Sequence, residues 1–441
     1  MTDPQNDLPP DEISRAALAA EGLRYDIVDA DDAAAHEGWL QADHRGFHFD
    51  ALTAEQVTEY RAGLAGTRSI GVWDSTTAEP EHPIATVGSW RSTVSLGEGR
   101  TLDGWAISAV SVAATHRRRG IARALLEGEL RAAHAAGLPL AMLTVSEATI
   151  YGRWGFGPAA YAAEYRIDTR GLRVTAPLPA GRVHRVSAPA LRPLAPQLAV
   201  RAHASTAGEV PLLDIFVDRM FAVSARTASH AAKLRAARYN DVDGVAQGFV
   251  LYSVAEGPHD FADHTLTVEY LCAVTDEALI ALWHYVLDQD LVNTVVAHLR
   301  PVDEALPWLV SNPRAVQTVA RRDHLWLRVL DVPAALSARR YAATDTVLLR
   351  VTDPLRFASG EWMLNADDNG TATVTRTDVG APTGTAVIEL GVEALGSLLL
   401  GGTPVDALRV VGRLAEGSPG SAARLDAMLR TTRAPHLSTW F

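Results

Sequence analysis

The chain has 441 residues, of which 48% are hydrophobic and 21% are charged, a globular composition sufficient for two to four domains. Its net charge of −12 argues against nucleic-acid binding, and its single cysteine excludes an internal disulfide framework. Residues 1–10 lack the features of a secretion signal and no apolar run of about 18 residues is present, so we predict a cytoplasmic protein without a membrane partner.

The 15 histidines do not form a recognisable metal-binding motif. The sequence contains no H-E-x-x-H pair of ligands, and one cysteine cannot build a cysteine-rich zinc site. Cys272 lies in a strand-like apolar run, which favours a packing role over a nucleophilic one. We therefore predict that the protein uses no metal ion.

The sequence pattern divides the chain into a short arm and three blocks. Residues 1–20 are predicted to form a flexible arm. Residues 21–165 alternate strands and helices as an α/β domain does, and residues 166–322 repeat that alternation after a proline-rich stretch. Residues 323–441 are predicted to form an α+β domain with an antiparallel sheet and helices on one face of it. The first strand of that sheet is predicted over residues 325–330.

The first block contains a segment with the features of an anion-binding loop. A strand over residues 105–112 leads into His116-Arg-Arg-Arg-Gly120, and the helix that follows is predicted to close at Gly137 in a left-handed conformation. A helix start presents unpaired N–H groups and the positive end of the helix dipole. The arginines add charge-assisted contacts to phosphate, and Gly120 lets a ligand approach the backbone closely.

The strand over residues 105–112 changes its apolar face part of the way along. Trp105 and Ala109 share one face, whereas Val110 and Val112 belong to the other. A β-bulge near Ala109 would cause this change, but burial of the strand on both faces is the simpler interpretation.

The second block repeats the order of strand and helix without the anion-binding residues. A strand over residues 266–274 is followed by a helix over residues 275–287, and the junction reads Thr275-Asp-Glu277. Negative side chains at the start of a helix repel a pyrophosphate. We therefore predict a degenerate repeat of the first domain that does not bind a nucleotide.

Two residues are candidates for proton transfer. Tyr151 lies in the segment that follows the apolar strand over residues 140–145, and its phenol, with an ordinary pKa of about 10, can act as a proton donor. The sequence ends on Trp440 and Phe441, an apolar pair that favours a docked terminus. Burial would raise the pKa of the Phe441 carboxylate toward that of a general base. For both residues, packing alone is the alternative role.

The pattern Arg117-x-x-Gly120-x-Ala122 resembles the acyl-CoA pyrophosphate loop of the GCN5-related (GNAT) N-acetyltransferases. Three further features carry a wider resemblance: residues 150–158, residues 325–336 and the final phenylalanine. Together with the loop, they make the sequence similar over nearly its whole length to the Eis (enhanced intracellular survival) family. The resemblance implies two GNAT-like domains, the second degenerate, and then a sterol-carrier-protein-like domain that supplies the C-terminal carboxylate. It also implies a homohexamer that transfers acetyl from acetyl-CoA to amines of aminoglycosides or to lysine side chains.

The resemblance also assigns a role to each site residue. Tyr151 would be the general acid, and the Phe441 carboxylate would be the general base. Ser146 would border the arm of acetyl-CoA. The residues whose backbone would contact the pantetheine are Val110, Ser111 and Val112. The residues that would hold the pyrophosphate are Arg117, Arg118, Gly120, Ala122 and Arg123.

The sequence leaves the acceptor open. Family members that act on aminoglycosides often have an acidic residue before the final phenylalanine, whereas this chain has Trp440, which makes the mouth of the site more apolar. Asp43 is a candidate replacement anion, although a solvated or helix-capping acid is the favoured interpretation. Three functions are therefore compared: acetylation of cationic small amines such as aminoglycosides, acetylation of lysine in proteins or peptides, and non-catalytic binding of CoA or lipid.

Overall fold

The structure is a computed structural model of the chain and describes residues 8–29, 31–257, 263–380 and 382–441. Within these ranges the strands form a 12-stranded sheet, in the order β1-β2-β3-β4-β5-β12-β6-β11-β10-β9-β8-β7, and a five-stranded sheet, in the order β15-β14-β13-β16-β17. The strands are β1 (Arg24–Ile27), β2 (Arg68–Trp73), β3 (Ala85–Gly97), β4 (Arg100–Val112), β5 (Leu140–Thr144), β6 (Gly157–Asp168), β7 (Arg182–Val186), β8 (Arg235–Asn240), β9 (Ala246–Ala255), β10 (His264–Ala273), β11 (Val292–Arg300), β12 (Val316–Val329), β13 (Asp345–Thr352), β14 (Gly360–Ala366), β15 (Ala372–Arg376), β16 (Ala386–Gly391) and β17 (Leu414–Glu416).

The helices pack on the faces and at the ends of the two sheets, and none within the described ranges has both the length and the apolar composition needed to cross a bilayer. They are α1 (Glu12–Ala19), α2 (Ala33–Gly46), α3 (Ala54–Gly63), α4 (Ile121–Ala135), α5 (Ala148–Tyr151), α6 (Ala188–Leu191), α7 (Ala195–His203), α8 (Asp214–Met220), α9 (Ala228–Ala231), α10 (Asp276–Leu287), α11 (Leu306–Leu309), α12 (Val332–Ala338), α13 (Val392–Leu398), α14 (Val405–Val410) and α15 (Ser421–Leu429).

Helix α1 covers residues 12–19 of the segment predicted to be a flexible arm, whose residues 1–7 lie outside the described residues. Asp11 caps the helix by accepting from the N–H of Ser14, and Arg131 of α4 donates two hydrogen bonds of 2.9 and 2.8 Å to the same carboxylate. Leu18 is buried in the core. The prediction is therefore wrong for residues 12–19, because a cap and an apolar contact anchor them to the domain.

The two α/β halves share the large sheet by exchanging their last strands. Strand β12 of the second half lies between β5 and β6, and β6 of the first half lies between β12 and β11. Residues 325–329 pair with β5, so their assignment to the third sheet is wrong, and the predicted boundary at residue 323 falls inside β12. An apolar pattern predicts a strand but not its partner, which long-range pairing decides.

Strands β4 and β5 run parallel and diverge after a short contact. Their register contains only Trp105 with Ala141 and Ala106 with Met142 in the described structure. Ala109 then takes a left-handed φ of 53°, opposite a register shift in β3, so β4 contains a bulge there. Both interpretations of this strand hold in part, because residues 105–107 are fully buried and the bulge follows them. The divergence exposes backbone groups in a V-shaped opening.

The five-stranded sheet of the third unit is mixed rather than antiparallel as predicted. Strands β13 and β16 run parallel, because the chain leaves β13 through β14 and β15 on one side and returns on the other. The leucine-rich space between this sheet and its helices has a volume of only about 10 Å³. Such a space holds at most one water molecule.

Candidate active site

The start of α4 forms an open cradle for an anion. Gly120 is the residue before the helix and has a φ of 77°, and no side chain caps the helix. The N–H groups of the first turn are therefore unpaired. A Cβ added to Gly120 would meet no atom within 4 Å, so the space above the loop is open for a ligand. Arg118 also has a left-handed φ, of 66°.

The arginines of this loop differ in their contacts. Arg119 is tied down, because its guanidinium lies 3.6 Å from the carboxylate of Asp74 and donates to the carbonyl of Glu21 at 2.9 Å. Arg117 and Arg118 are exposed and form no ion pair with the described residues. These two guanidinium groups are therefore free to bind phosphate.

Asp74 holds the loop through its contacts with His116 and Arg119. Its carboxylate lies 3.2 Å from Nε2 of His116 and accepts hydrogen bonds from the N–H and hydroxyl of Thr76. The Thr76 hydrogen bonds lower the pKa of Asp74 to about 2, so the carboxylate is ionised at neutral pH. Ala122 and Arg123 lie in the first turn of the helix, where Arg123 is 3.7 Å from Glu127.

The corresponding helix of the second half, α10, has a closed start. The hydroxyl of Thr275 accepts from the N–H of Ala278, and Asp276 and Glu277 occupy the first turn. Asp276 also forms a 2.7 Å ion pair with Arg433. A capped helix start with two carboxylates does not favour a pyrophosphate, so the degenerate repeat predicted from the sequence is present.

A cleft of about 720 Å³ lies at the opening between β4 and β5. It is lined by four of the predicted site residues: Val110, Ser146, Tyr151 and Phe441. The remaining ones lie on the stretch from β4 to α4, outside this lining. The hydroxyl of Ser111 is 2.7 Å from that of Thr86, so its backbone rather than its side chain is left for a ligand.

Phe441 is docked inside this cleft. Its side chain is 8% exposed, and its ring packs edge-on against Trp90 with 5.8 Å between centroids. A main-chain oxygen of Phe441 accepts a 2.8 Å hydrogen bond from the hydroxyl of Thr144, at the end of β5. The last residue of the sequence therefore reaches the opening between the parallel strands.

The segment that leads to Phe441 is held by a buried carboxylate. Glu209 accepts from the N–H and hydroxyl of Ser438, at 3.2 and 2.9 Å, and lies 3.3 Å from Nδ1 of His436. Burial by itself raises the pKa of Glu209, but His203 and the contacts with His436 and Ser438 outweigh it and lower the pKa to about 2. Glu209 is therefore an ionised anchor.

A second anchor is His324 on β12. Its Nε2 lies 2.7 Å from the carbonyl oxygen of Thr439, and burial lowers the pKa of the ring to about 4. The neutral ring donates an N–H to that carbonyl at pH 7. Trp440 packs edge-on against the same ring, at 4.4 Å between centroids, and 53% of its surface stays exposed at the cleft.

Tyr151 lies on the short helix α5, which follows β5. Its ring packs against Phe156 and Trp154, so the packing role considered from the sequence is also fulfilled. Burial and the charge of Glu147 raise the pKa of the hydroxyl to about 12. Tyr151 is thus protonated at neutral pH, and in the described structure its hydroxyl has no hydrogen-bond partner. It is a proton donor available to a ligand.

Asp43 is a cleft residue and not a solvated or capping acid as favoured from the sequence. It lies within α2, and its Oδ1 is buried without a hydrogen-bond partner in the described structure. Burial raises its pKa to about 7, although the charges of Arg226 and Arg219 act in the opposite direction. Its position four residues after buried Trp39 places both on one face of the helix, which is the signal that could have found it.

Arg219 and Arg226 line the same cleft and act on Asp43, and no motif in the sequence around them indicates this position. Nη1 of Arg226 lies 3.1 Å from Nε2 of His44 and donates to the hydroxyl of Tyr60 at 3.1 Å. Its guanidinium also lies over the ring of Phe49, 4.5 Å from the centroid. Both arginines come from the second half, so this end of the cleft, which also contains Asp43, is built by both halves.

Comparison with known families supports this division of the chain. Models described as "Acetyltransferase (GNAT) domain" match residues 30–159 and residues 218–340. A model described as "Sterol carrier protein domain" matches residues 332–438. The chain thus consists of two GNAT domains and a sterol-carrier-protein-like unit. A GNAT fold uses acetyl-CoA as its co-substrate, and the open loop before α4 fits the pyrophosphate of that molecule.

Individual relatives of the chain are also N-acetyltransferases by name. An uncharacterized N-acetyltransferase of Streptomyces griseus is 32% identical over 90% of this chain and 95% of its own length. The N-acetyltransferase Eis of Mycobacterium tuberculosis is 34% identical over 73% of this chain and 76% of its own. The crystal structure of Eis1 from Mycobacterium abscessus superposes with a TM-score of 0.80 and 29% identity, covering 95% of this chain and all of that one (100%). The chain therefore belongs to the Eis family of GNAT N-acetyltransferases.

Proposed function

We propose that the protein transfers the acetyl group of acetyl-CoA to a primary amine of a cationic substrate, with Tyr151 as general acid and the Phe441 carboxylate as general base. The observation that carries this proposal is that both residues line one cleft at the opening between β4 and β5. Aminoglycosides and lysine side chains are the two classes of cationic amine that we consider as acceptors.

The binding of acetyl-CoA is proposed to follow the diverging strands. The backbone of Val110, Ser111 and Val112 would pair with the pantetheine arm, as the free edge of a strand does, and Ser146 would border it. The pyrophosphate would lie on the first turn of α4, and the residues proposed to hold it there are Arg117, Arg118, Gly120, Ala122 and Arg123.

The protein is proposed to manage two protons during the transfer. The Phe441 carboxylate, held by Thr144, takes a proton from the acceptor ammonium, directly or through water. The free amine then forms the new C–N bond at the thioester carbon while the C–S bond breaks. The hydroxyl of Tyr151 gives its proton to the departing sulfur, and the proton that the nitrogen loses on becoming an amide returns to Tyr151, directly or through water. No covalent intermediate on the enzyme is needed.

The structure gives less support to the other function compared above, a module that only binds CoA or lipid. The space inside the third unit, about 10 Å³, is far too small for a lipid chain. That unit instead supports the segment of Phe441, which contributes to the cleft. We further propose, from the family resemblance, a cytoplasmic homohexamer without nucleic-acid, membrane or metal partners.

The proposal is tested by measuring CoA release with acetyl-CoA and a panel of amines. The panel contains kanamycin, neomycin, a lysine-containing peptide and a polyamine. Turnover of at least one of these amines supports N-acetylation and separates the acceptor classes. Binding of acetyl-CoA without turnover of any amine would contradict the proposed reaction while leaving the co-substrate site intact.

A further inference from the structure

The acceptor end of the cleft contains two guanidinium groups that lack an anionic partner. Arg219 on α8 is half-buried, and its guanidinium lies 5.9 Å from the ring centroid of Phe216. Arg226 donates to the neutral groups His44 and Tyr60. Among the described residues, no carboxylate forms an ion pair or hydrogen bond with either arginine.

Asp43 is a carboxylate that interacts electrostatically with this pair of arginines, but it does not neutralise them. The charges of Arg226 and Arg219 act on Asp43, yet its Oδ1 accepts no hydrogen bond within the described structure. Because burial raises its pKa to about 7, Asp43 is only partly ionised at neutral pH. Burial also lowers the pKa of Arg219.

A desolvated positive charge without a partner is costly, and proteins keep such groups where a ligand supplies the anion. We propose that the acceptor amine carries an anionic oxo group, a carboxylate or a phosphate, on the same molecule, and that Arg219 and Arg226 bind it. This inference rests on the proposed N-acetylation and narrows its acceptors to amines of mixed charge.

The two functional groups of such an acceptor would have separate positions. The ammonium would face the Phe441 carboxylate, next to Thr144, while the oxo group would lie against α8 and the turn of Arg226. The guanidinium fork suits both oxo groups, because it forms parallel hydrogen bonds with carboxylate and with phosphate. Asp43 has a pKa of about 7, so its charge changes near neutral pH. When ionised it would repel the oxo group, and when protonated it would not.

The test compares matched amines that differ only in the anion. CoA release is measured with 6-aminohexanoate against hexylamine for the carboxylate, and with O-phosphoethanolamine against ethanolamine for the phosphate. We expect kcat/KM to be at least about tenfold higher for the anionic member of one pair. The pair that shows the larger ratio identifies the oxo group. Equal kcat/KM values within both pairs would overturn the inference.

Two variants test the binding residues. Arg219→Gln and Arg226→Gln are expected to abolish the preference by raising KM for the anionic acceptor. Arg314→Gln removes an exposed arginine outside the cleft and should leave the preference unchanged. A rise in KM for acetyl-CoA instead would place the two arginines at the nucleotide and overturn the inference. If wild-type protein acetylates no amine at all, including kanamycin, the proposed function itself fails.

Discussion

The hydroxyl of Thr144 donates a 2.8 Å hydrogen bond to a main-chain oxygen of Phe441. This contact joins the end of β5 in the first half to the last residue of the sterol-carrier-protein-like unit. It places the terminal carboxyl group where β4 and β5 diverge and where Tyr151 lines the same cleft. The arrangement brings the end of the sequence into a cleft formed by the first two domains.

Extending the chain by two residues, Gly-Ser, after Phe441 should displace this carboxylate. We expect kcat to fall by about 100-fold or more, which is the usual contribution of a positioned base. The KM for acetyl-CoA should change by less than about twofold, because the loop before α4 is untouched. The same two residues placed before Met1 are the control. Full turnover by the extended chain would remove the carboxylate from the mechanism.

Replacing Tyr151 with phenylalanine removes the hydroxyl and keeps the ring that packs against Phe156. We expect kcat to fall by about 100-fold with little change in the affinity for acetyl-CoA. Since the pKa of Tyr151 is about 12, the wild-type rate should not decline from its ionisation below about pH 11. Tyr161→Phe makes the same chemical change outside the cleft and should retain the wild-type rate. An unchanged rate in Tyr151→Phe would leave Tyr151 with packing alone.

Gly120 and Gly137 flank α4 with similar backbone angles, φ of 77° and 73°, and neither has an atom within 4 Å of an added Cβ. Alanine at either position should cost about 1 to 2 kcal/mol in the free energy of unfolding, because a Cβ disfavours the left-handed conformation. Only Gly120→Ala should also raise the KM for acetyl-CoA, by about tenfold. Denaturant unfolding and CoA-release kinetics measure the two effects. Equal KM values for both variants would contradict a nucleotide site at Gly120.

The local structure of the loop before α4 could be predicted from the sequence because its signals are local. The arginine run, Gly120 and the helix that closes at Gly137 are contiguous, and the structure places them as a strand, a turn and a helix in that order. The same holds for the closed start of α10, which Thr275 marks. In both segments the helix start is decided by the residues next to it.

The acceptor end could not be predicted, because distant segments build it. Asp43 comes from α2, Arg219 from α8 and Arg226 from the turn after it, and none of them has a motif around it. The position of β12 between β5 and β6 was missed for the same reason, since its partners belong to the other half. Only the tertiary structure brings these segments together.

Asp43→Asn tests the charge state of the buried acid. The folded-state pKa of Asp43, about 7, lies above its ordinary value of about 3.9, so the folded form gains protons and wild-type stability falls as pH rises through this window. The stability advantage of Asp43→Asn should therefore grow between about pH 4 and pH 7, by at most about 1.4 kcal/mol per pH unit, and stay constant above it. Denaturant unfolding across pH measures it, with the exposed Asp50→Asn as control. A difference that is flat across pH would contradict the buried state of Asp43.

Glu209→Gln should loosen the segment that ends at Phe441. The pKa of Glu209, about 2, lies below its ordinary value, so the ionised group stabilises the fold above about pH 4.3 and that stability is lost as pH falls toward 2. At pH 7 the variant should lose about 1 to 3 kcal/mol of unfolding free energy, and its kcat should fall while the KM for acetyl-CoA holds.

Glu304→Gln is the matched control for this change. Glu304 is also buried and pairs with Arg300 at 2.7 Å, but within the described chain it forms no hydrogen bond or ion pair with residues 436–441. This variant should lose stability and keep its kcat. If both variants lose kcat in proportion to stability, Glu209 has only a structural role. A selective loss in Glu209→Gln shows that the anchored terminal segment positions the base.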